Sequence, residues 1–314
     1  MSEERRRLVL DCDPGHDDAL AILLAAASPA LDLRAITTVG GNQTLDKVTL
    51  NARRVCTVAG IHNVPIAAGC NRPLVRELLV AASIHGASGL DGPQWSDPTV
   101  EADPRHGVDL IVELAAGADR PLTIVATGPL TNVATALRRQ PALATQLERI
   151  VLMGGAIGLG NWTPAAEFNI HVDPEAAAEV FASGVPITMI PLEVTHQALA
   201  TSDVLLRIDD LGTPVARMAG ALLRYFADTY ERVFGFPAPA VHDPCAVAWL
   251  IDPTLVTTQP MNVAVETRSA LSDGRTLCDV YGTTGRAANA EVGLGLDAER
   301  FWDLMIATLA TYAD

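Results

Sequence analysis

A single-domain α/β fold, with an open, mostly parallel sheet and helices on both faces, is what this sequence predicts. Three observations predict it. Short apolar, β-branched runs alternate with helical patterns along most of the chain. Polar residues recur just past the C-terminal ends of those runs, at Asp11 and Asp13, at Asn42, at Thr127 and after Met153, which is where open parallel sheets bind ligands. No composition shift, charge block or Gly/Ser/Pro linker divides the 314 residues, so 1–314 reads as one domain.

Taken in order, Arg7–Cys12 is the first strand and Asp17–Ser28 a helix, joined by a Pro14-Gly15 turn. Leu33–Val39 is a second strand closing in Gly40-Gly41-Asn42, and Thr44–Ala59 is a helix with Thr44 as its N-cap. Val64–Ala67 is a short strand. The span from Asn71 to Pro104 lacks sustained periodicity and carries the glycine-rich stretch His85–Gly92, which reads as a mobile loop. A helix over Val108–Ala116 precedes a buried strand, Leu122–Ala126; Thr127-Gly128-Pro129 then opens a helix through Arg138. Ile150–Met153 is a strand, Asn161–Asn169 a polar loop, and Asp173-Pro174-Glu175 starts a helix to Ala182 in N-cap fashion. Val185–Ile190 is a further strand, followed by a long amphipathic helix at Val215–Phe234 and a shorter one at Asp243–Ile251. Val256–Thr267 and Arg275–Tyr281 read as late strands, a hairpin at the sheet edge, and Phe301–Tyr312 closes the chain as a helix.

Composition narrows the function classes. A formal charge of −15 argues against nucleic acid or an anionic membrane as partner. No apolar run reaches the roughly 18 residues of a membrane span, and the charged Met1–Arg7 lacks the apolar core of a signal peptide. The five cysteines form neither a disulfide framework nor a CxxC pair. A cytoplasmic protein with reduced thiols is expected.

The chemistry concentrates in Asp11-Cys12-Asp13-Pro14-Gly15-His16-Asp17-Asp18-Ala19, four carboxylates within eight positions at the end of a strand. Aspartates that close repel one another, and a hard divalent cation is the simplest remedy. An EF-hand is excluded because the twelfth loop position is Ile22, and a haloacid-dehalogenase aspartate because Gly15 replaces the required Ser or Thr. The histidines and cysteines lack zinc spacing, and there is no Gly-x-Ser-x-Gly elbow, P-loop or GxGxxG after a strand. A Mg²⁺ or Ca²⁺ hydrolase survives this elimination.

That stretch resembles the N-terminal signature of the nucleoside hydrolases of inosine–uridine type. The likeness continues through Thr38-Val39-Gly40-Gly41-Asn42, His85-Gly86 with Gly89-Leu90, and Ala126-Thr127-Gly128-Pro129-Leu130-Thr131-Asn132. Met153-Gly154-Gly155, Asn161 with Glu167-Phe168-Asn169, Asp173-Pro174-Glu175-Ala176-Ala177 and His242-Asp243-Pro244 follow in family order. The resemblance implies a Rossmann-like nucleoside hydrolase fold and hydrolysis of the N-glycosidic bond of purine and pyrimidine ribonucleosides to free base and ribose. It implies Ca²⁺ held by Asp13, Asp18, the Thr127 carbonyl and Asp243, with Asp13 also the general base on the attacking water. Asp17, Asn42, Asn161, Glu167 and Asn169 would clamp the ribose hydroxyls, with Met153 beneath the ring. His242 would protonate or hydrogen-bond the leaving base, an imidazole titrating near neutrality. His85 and Tyr230 or Phe234 would close over that base, with Phe168 beside it. A small-molecule ribonucleoside is the implied partner, and a homo-oligomer, dimer or tetramer, the implied assembly.

Blander roles stand beside these. Asp243 before Pro244, and Asp17, each read alone as a helix cap. Thr131 and Asn132 read as turn or cap residues, and Asp11 as a support behind the ligands. His16 and His171 read as structural, His85 alone as a solvated loop histidine, and Met153 alone as core. Trp162 departs from the family's smaller residue and would reshape the ribose-side wall; Tyr230 lies in a variable region. A non-catalytic nucleoside- or ribose-binding protein on the same scaffold, or a hydrolase of a modified nucleoside, is the alternative, disfavoured by the retention of both Asp13 and His242.

Overall fold

A computed structural model describes residues 5–117 and 120–312. Met1–Glu4 of the charged N-terminal stretch, and the ends of the 1–314 span, lie outside them. The strands are β1 (Arg6–Cys12), β2 (Leu31–Thr38), β3 (Ile66–Ala68), β4 (Leu122–Ala126), β5 (Leu147–Met153), β6 (Ile187–Ile190), β7 (Val256–Met261), β8 (Val263–Val265), β9 (Thr276–Cys278) and β10 (Ala290–Leu296). Eight of them form one sheet in the order β3-β2-β1-β4-β5-β6-β10-β7, parallel throughout except for β7 at the edge.

Helices cover both faces, which is why the central strands are apolar without alternation: Leu8, Val9 and Leu10 of β1 are all fully buried. On one face lie α1 (His16–Ala27), α2 (Leu45–Val58), α11 (Pro214–Phe234), α12 (Pro244–Ile251) and α13 (Ala298–Ala310). On the other lie α4 (Gly107–Ala116), α5 (Thr131–Arg139) and α8 (Pro174–Phe181). Shorter helices, α3 (Ala82–His85), α6 (Leu143–Gln146), α7 (Phe168–Val172), α9 (Leu192–Thr195) and α10 (Ser202–Asp209), punctuate the connections. Among the described residues no helix is long and apolar enough to cross a membrane.

The strand order reverses at β1, whose neighbours β2 and β4 are connected to it on opposite sides. Such a switch point opens a crevice at the carboxyl ends of the strands. The register places Asp11 opposite Thr37 and Ala126, so the loops after all three strands meet at one place.

The late strands differ from expectation. Val256–Met261 is the sheet edge, but it pairs with β10, and β8 and β9 form a separate two-stranded ribbon instead of an edge hairpin. The strand Ala290–Leu296 is absent from the sequence reading because Gly293 and Gly295 break its β pattern. Gly293 is needed: a Cβ there would sit 2.6 Å from Val194 and 3.2 Å from Val256. The expected loop Asn161–Asn169 also ends early, since Phe168 starts α7 with Glu167 as N-cap.

Candidate active site

The loop after β1 and the first turn of α1 deliver the acids. Asp13 and Asp18 are fully buried, and Asp17 and Asp243 nearly so. Gly15, not Asp17, is the N-cap of α1; Asp18 accepts from the Gly15 N–H at 2.9 Å, while Asp17 accepts from the His242 N–H at 3.1 Å. Asp243 stands at the N-cap position of α12 but makes no capping bond. Its carboxylate instead joins those of Asp17 and Asp18, one oxygen of each lying within 4.8 Å of the others. The cap readings of Asp17 and Asp243 are thereby replaced: two helix N-termini from opposite parts of the chain point acids at one spot.

Asp13 borders this trio. Its Oδ2 accepts from the Asn42 N–H at 2.6 Å, and its Oδ1 is buried without a partner. Gly41 and Gly128 flank it, and a Cβ on either would overlap the carboxylate; at Gly128 the separation from Oδ1 would be 2.7 Å. Burial first, and then the neighbouring Asp18, hold the Asp13 carboxyl well above its usual range; burial, then Asp17 and Asp18, do the same to Asp243. No Lys or Arg lines the cleft to relieve them. The donor set is therefore hard, anionic and short of positive charge, and one orphaned oxygen faces it. These residues fit a divalent cation, with the Thr127 carbonyl beside them. That carbonyl also accepts from Asn169 Nδ2 at 2.8 Å, leaving its second lone pair.

Asp11 lies behind the site, accepting from Thr37 Oγ1 at 2.5 Å and Asn132 Nδ2 at 2.7 Å. Burial raises its carboxyl to about 7. Thr131 and Asn132, read as turn or cap residues, cap nothing: Thr131 donates to Asp173, which caps α8 through the Ala176 N–H, and Asn132 spends its amide on Asp11 and the Thr38 carbonyl.

The cleft above the acids is narrow, with a free volume of about 60 Å³. Its floor is polar. Asn42 Nδ2 is spent on the Asp13 carbonyl and Asp18, and Asn169 Nδ2 on Thr127 and Met153, leaving both amide oxygens as acceptors. Asn161 is the reverse: its oxygen accepts from the Phe168 N–H at 3.0 Å, leaving its NH₂ as donor. Glu167 accepts backbone N–H bonds from Gly155, Asn169 and Ile170, yet burial still lifts its carboxyl to about 7. Met153 lines the same floor.

The opposite end is aromatic, walled by Phe168, Trp162, Phe226, Tyr230 and Phe234. Trp162 packs edge-on against Phe168, at 5.0 Å between centroids. His242 lines this end with both ring nitrogens engaged, Nδ1 with Thr195 Oγ1 at 2.7 Å and Nε2 with the Tyr230 hydroxyl. Burial, then His196, lowers its pKa to about 3, so the imidazole is neutral at pH 7, contrary to the expectation of titration near neutrality. Burial also keeps the Tyr230 proton in place, holding the phenol well above its usual range.

His85 is buried, not a solvated loop residue: it ends α3 and meets His16, with 3.1 Å between their Nδ1 atoms. His16 in turn contacts the Asp91 carbonyl at 2.8 Å and stacks on Tyr225 and Phe226. The glycine-rich stretch expected to be mobile is pinned by Gln43 on Gly86, Asn51 on Ser88 and Lys47 on Ala87. The sequence reading missed Phe226, Ile84 and Ala81 in the wall and Thr195 behind His242. Phe226, one helical turn before Tyr230, was recoverable from i, i+4 spacing; Thr195, on a four-residue helix, carried no signal.

The model of the family described as inosine-uridine preferring nucleoside hydrolase matches residues 8–303. The chain is 48% identical over 309 residues to the pyrimidine-specific ribonucleoside hydrolase RihA of Shewanella sp. (strain ANA-3), covering 98% of this chain and 97% of that one. It is 45% identical to the pyrimidine-specific ribonucleoside hydrolase RihB of Shigella sonnei (strain Ss046), covering 96% of each. The purine-preferring ribonucleoside hydrolase from Gardnerella vaginalis superposes with a TM-score of 0.92 at 34% identity, covering 98% of this chain and 99% of that one.

Proposed function

The chain belongs to the family of inosine-uridine preferring nucleoside hydrolases, and from that membership we propose that it is a Ca²⁺-dependent N-ribohydrolase that splits pyrimidine ribonucleosides into base and ribose. One observation carries the reading: Asp17 and Asp18 of α1 and Asp243 at the start of α12 converge on a single buried point, with Asp13 of the β1 loop joined to Asp18 through Asn42, at the polar end of a cleft whose other end is aromatic. The pyrimidine preference rests on the relatives at 45–48% identity, whose names carry it.

Asp13, Asp18, Asp243 and the Thr127 carbonyl would hold the ion, and the trio geometry adds Asp17 to that neighbourhood. Calcium held there supplies a hard positive charge that orders the ribose diol and lowers the pKa of the water beside it. Asp13 is the general base: its free Oδ1 takes a proton from water as the water attacks the anomeric carbon. The acceptor oxygens of Asn42 and Asn169 and the donor NH₂ of Asn161 complement sugar hydroxyls, each of which donates and accepts. Glu167 adds a further acceptor, and Met153 packs beneath the ring.

At the other end Tyr230 and His242 act as a pair. A neutral imidazole is a poor acid by itself, so the Tyr230 hydroxyl, hydrogen-bonded to His242, gives its own proton to the nitrogen of the departing base as the glycosidic bond breaks and regains one from solvent water before the next turnover. Thr195 fixes the ring from the far side. His85, Phe168 and Phe234 enclose the base.

Incubating the protein with uridine, and assaying uracil and reducing sugar with and without a chelator, tests this. Release of both in equal amounts, lost on chelation and restored by Ca²⁺, is expected. Uridine left intact in the presence of Ca²⁺ rejects it.

A further inference from the structure

We propose that the leaving-base end opens into a second chamber that accepts a planar, uncharged extension on the base, so that base-substituted ribonucleosides are substrates. This rests on the ribohydrolase reading of the adjoining cleft. The chamber has a volume of about 480 Å³ and shares Asn161, Tyr230 and Phe234 with the cleft, so the two adjoin across these three side chains.

Its lining defines what fits. Phe234 and Phe236 offer ring surface, with Leu159 and Leu192 completing an apolar wall. His196 packs edge-on against Phe236 at 5.3 Å, and among the described residues its ring nitrogens have no hydrogen-bond partner. Glu193 is the sole charged residue of the lining, and both its oxygens are taken by the Ile157 and Gly158 N–H groups at 3.0 and 2.8 Å. Aromatic faces with one imidazole edge favour a flat ring that carries a polar atom. An anionic substituent is disfavoured, because neither space contains a Lys or Arg and the acid cluster lies nearby.

Two pairs of substrates test the chamber: cytidine against N4-benzoylcytidine, and uridine against 5-phenyluridine. At least one extended riboside is expected to be cleaved with kcat/KM within about tenfold of its parent. Leu159, 78% exposed at the rim, gives a plug that leaves the cleft alone. Leu159→Trp should raise KM for the accepted extended riboside about tenfold and leave its parent's kcat and KM unchanged. Rejection of both extended ribosides by more than about a hundredfold, while both parents are split, overturns the proposal. So does a Leu159→Trp penalty shared equally by parent and extended substrate. Calorimetric titration with free 5-phenyluracil and N4-benzoylcytosine reads the chamber without turnover. Tighter binding than uracil and cytosine supports it, and no gain from either rejects it. Failure to cleave uridine and cytidine themselves strikes the ribohydrolase reading, and the base titration then still decides the chamber.

Discussion

Asp13 occupies a slot with room for a carboxylate and nothing more, and the two glycines beside it act through space, not through backbone freedom. Gly41→Ala forces the carboxylate to shift, and a misplacement of that kind costs about a hundredfold in kcat. Steady-state kinetics beside an unchanged circular dichroism spectrum checks this; a wild-type kcat would dissociate Asp13 from the chemistry. At the base end, removing the acid partner should cost about 10²–10⁴-fold on uridine and far less on a nitrophenyl riboside, whose leaving group departs unaided. His242→Ala and Tyr230→Phe should both show that split, because the two side chains work through one hydrogen bond. Equal losses on both substrates would exclude leaving-group protonation. The Asp-rich motif was legible at this scale because paired acids are costly unless something compensates them. The neutrality of His242 was not, since it depends on burial by Tyr230, His196 and Thr195 from distant segments.

Elements explain why the same residues read as caps. A helix N-terminus favours negative charge whether or not the side chain caps it, so Asp18 and Asp243 satisfy a local rule while serving a distant site. Central parallel strands and long helices were visible in the pattern because each is apolar on the face or faces it buries. β10 and the four- and five-residue helices were not, since glycines or brevity erase periodicity. The segment after β3 is likewise held by side-chain anchors rather than by secondary structure. Arg76 bonds both Glu175 of α8 and Asp273, all three side chains being about a quarter exposed. Arg76→Ala should lower Tm by about 2–6 °C, the cost of roughly 1–2 kcal/mol in a chain of this size. KM for uridine should rise as well, because Ala81, Ile84 and His85 of that segment line the cleft. Unchanged KM would uncouple this anchor from the site.

For the whole molecule, the acid cluster makes stability a function of pH and of metal. Each buried carboxyl has its pKa raised on folding, Asp11 and Glu167 to about 7 and Asp13, Asp18 and Asp243 in the same direction. These carboxyls make the folded state hold more protons than the unfolded one, opposed below about pH 6.5 by the buried His16, His85 and His242, whose pKa values fall on folding. The carboxyls' stabilisation is complete below about pH 4 and lost as pH rises through the folded values. Metal-free protein should show a falling Tm from about pH 6.5 to 8, where the histidines no longer oppose the carboxyls, and millimolar Ca²⁺ removes the fall. A Tm independent of Ca²⁺ at pH 8 would count against the cluster as a metal site. The most direct test is calorimetric titration of Ca²⁺ into the chelator-stripped protein, wild type and Asp243→Asn in parallel. One ion per wild-type chain, and binding weakened by at least about a hundredfold in Asp243→Asn, is the expected result. No binding by the wild type, or equal binding by the variant, would show that the acids of the β1 loop, α1 and α12 do not meet on a single cation.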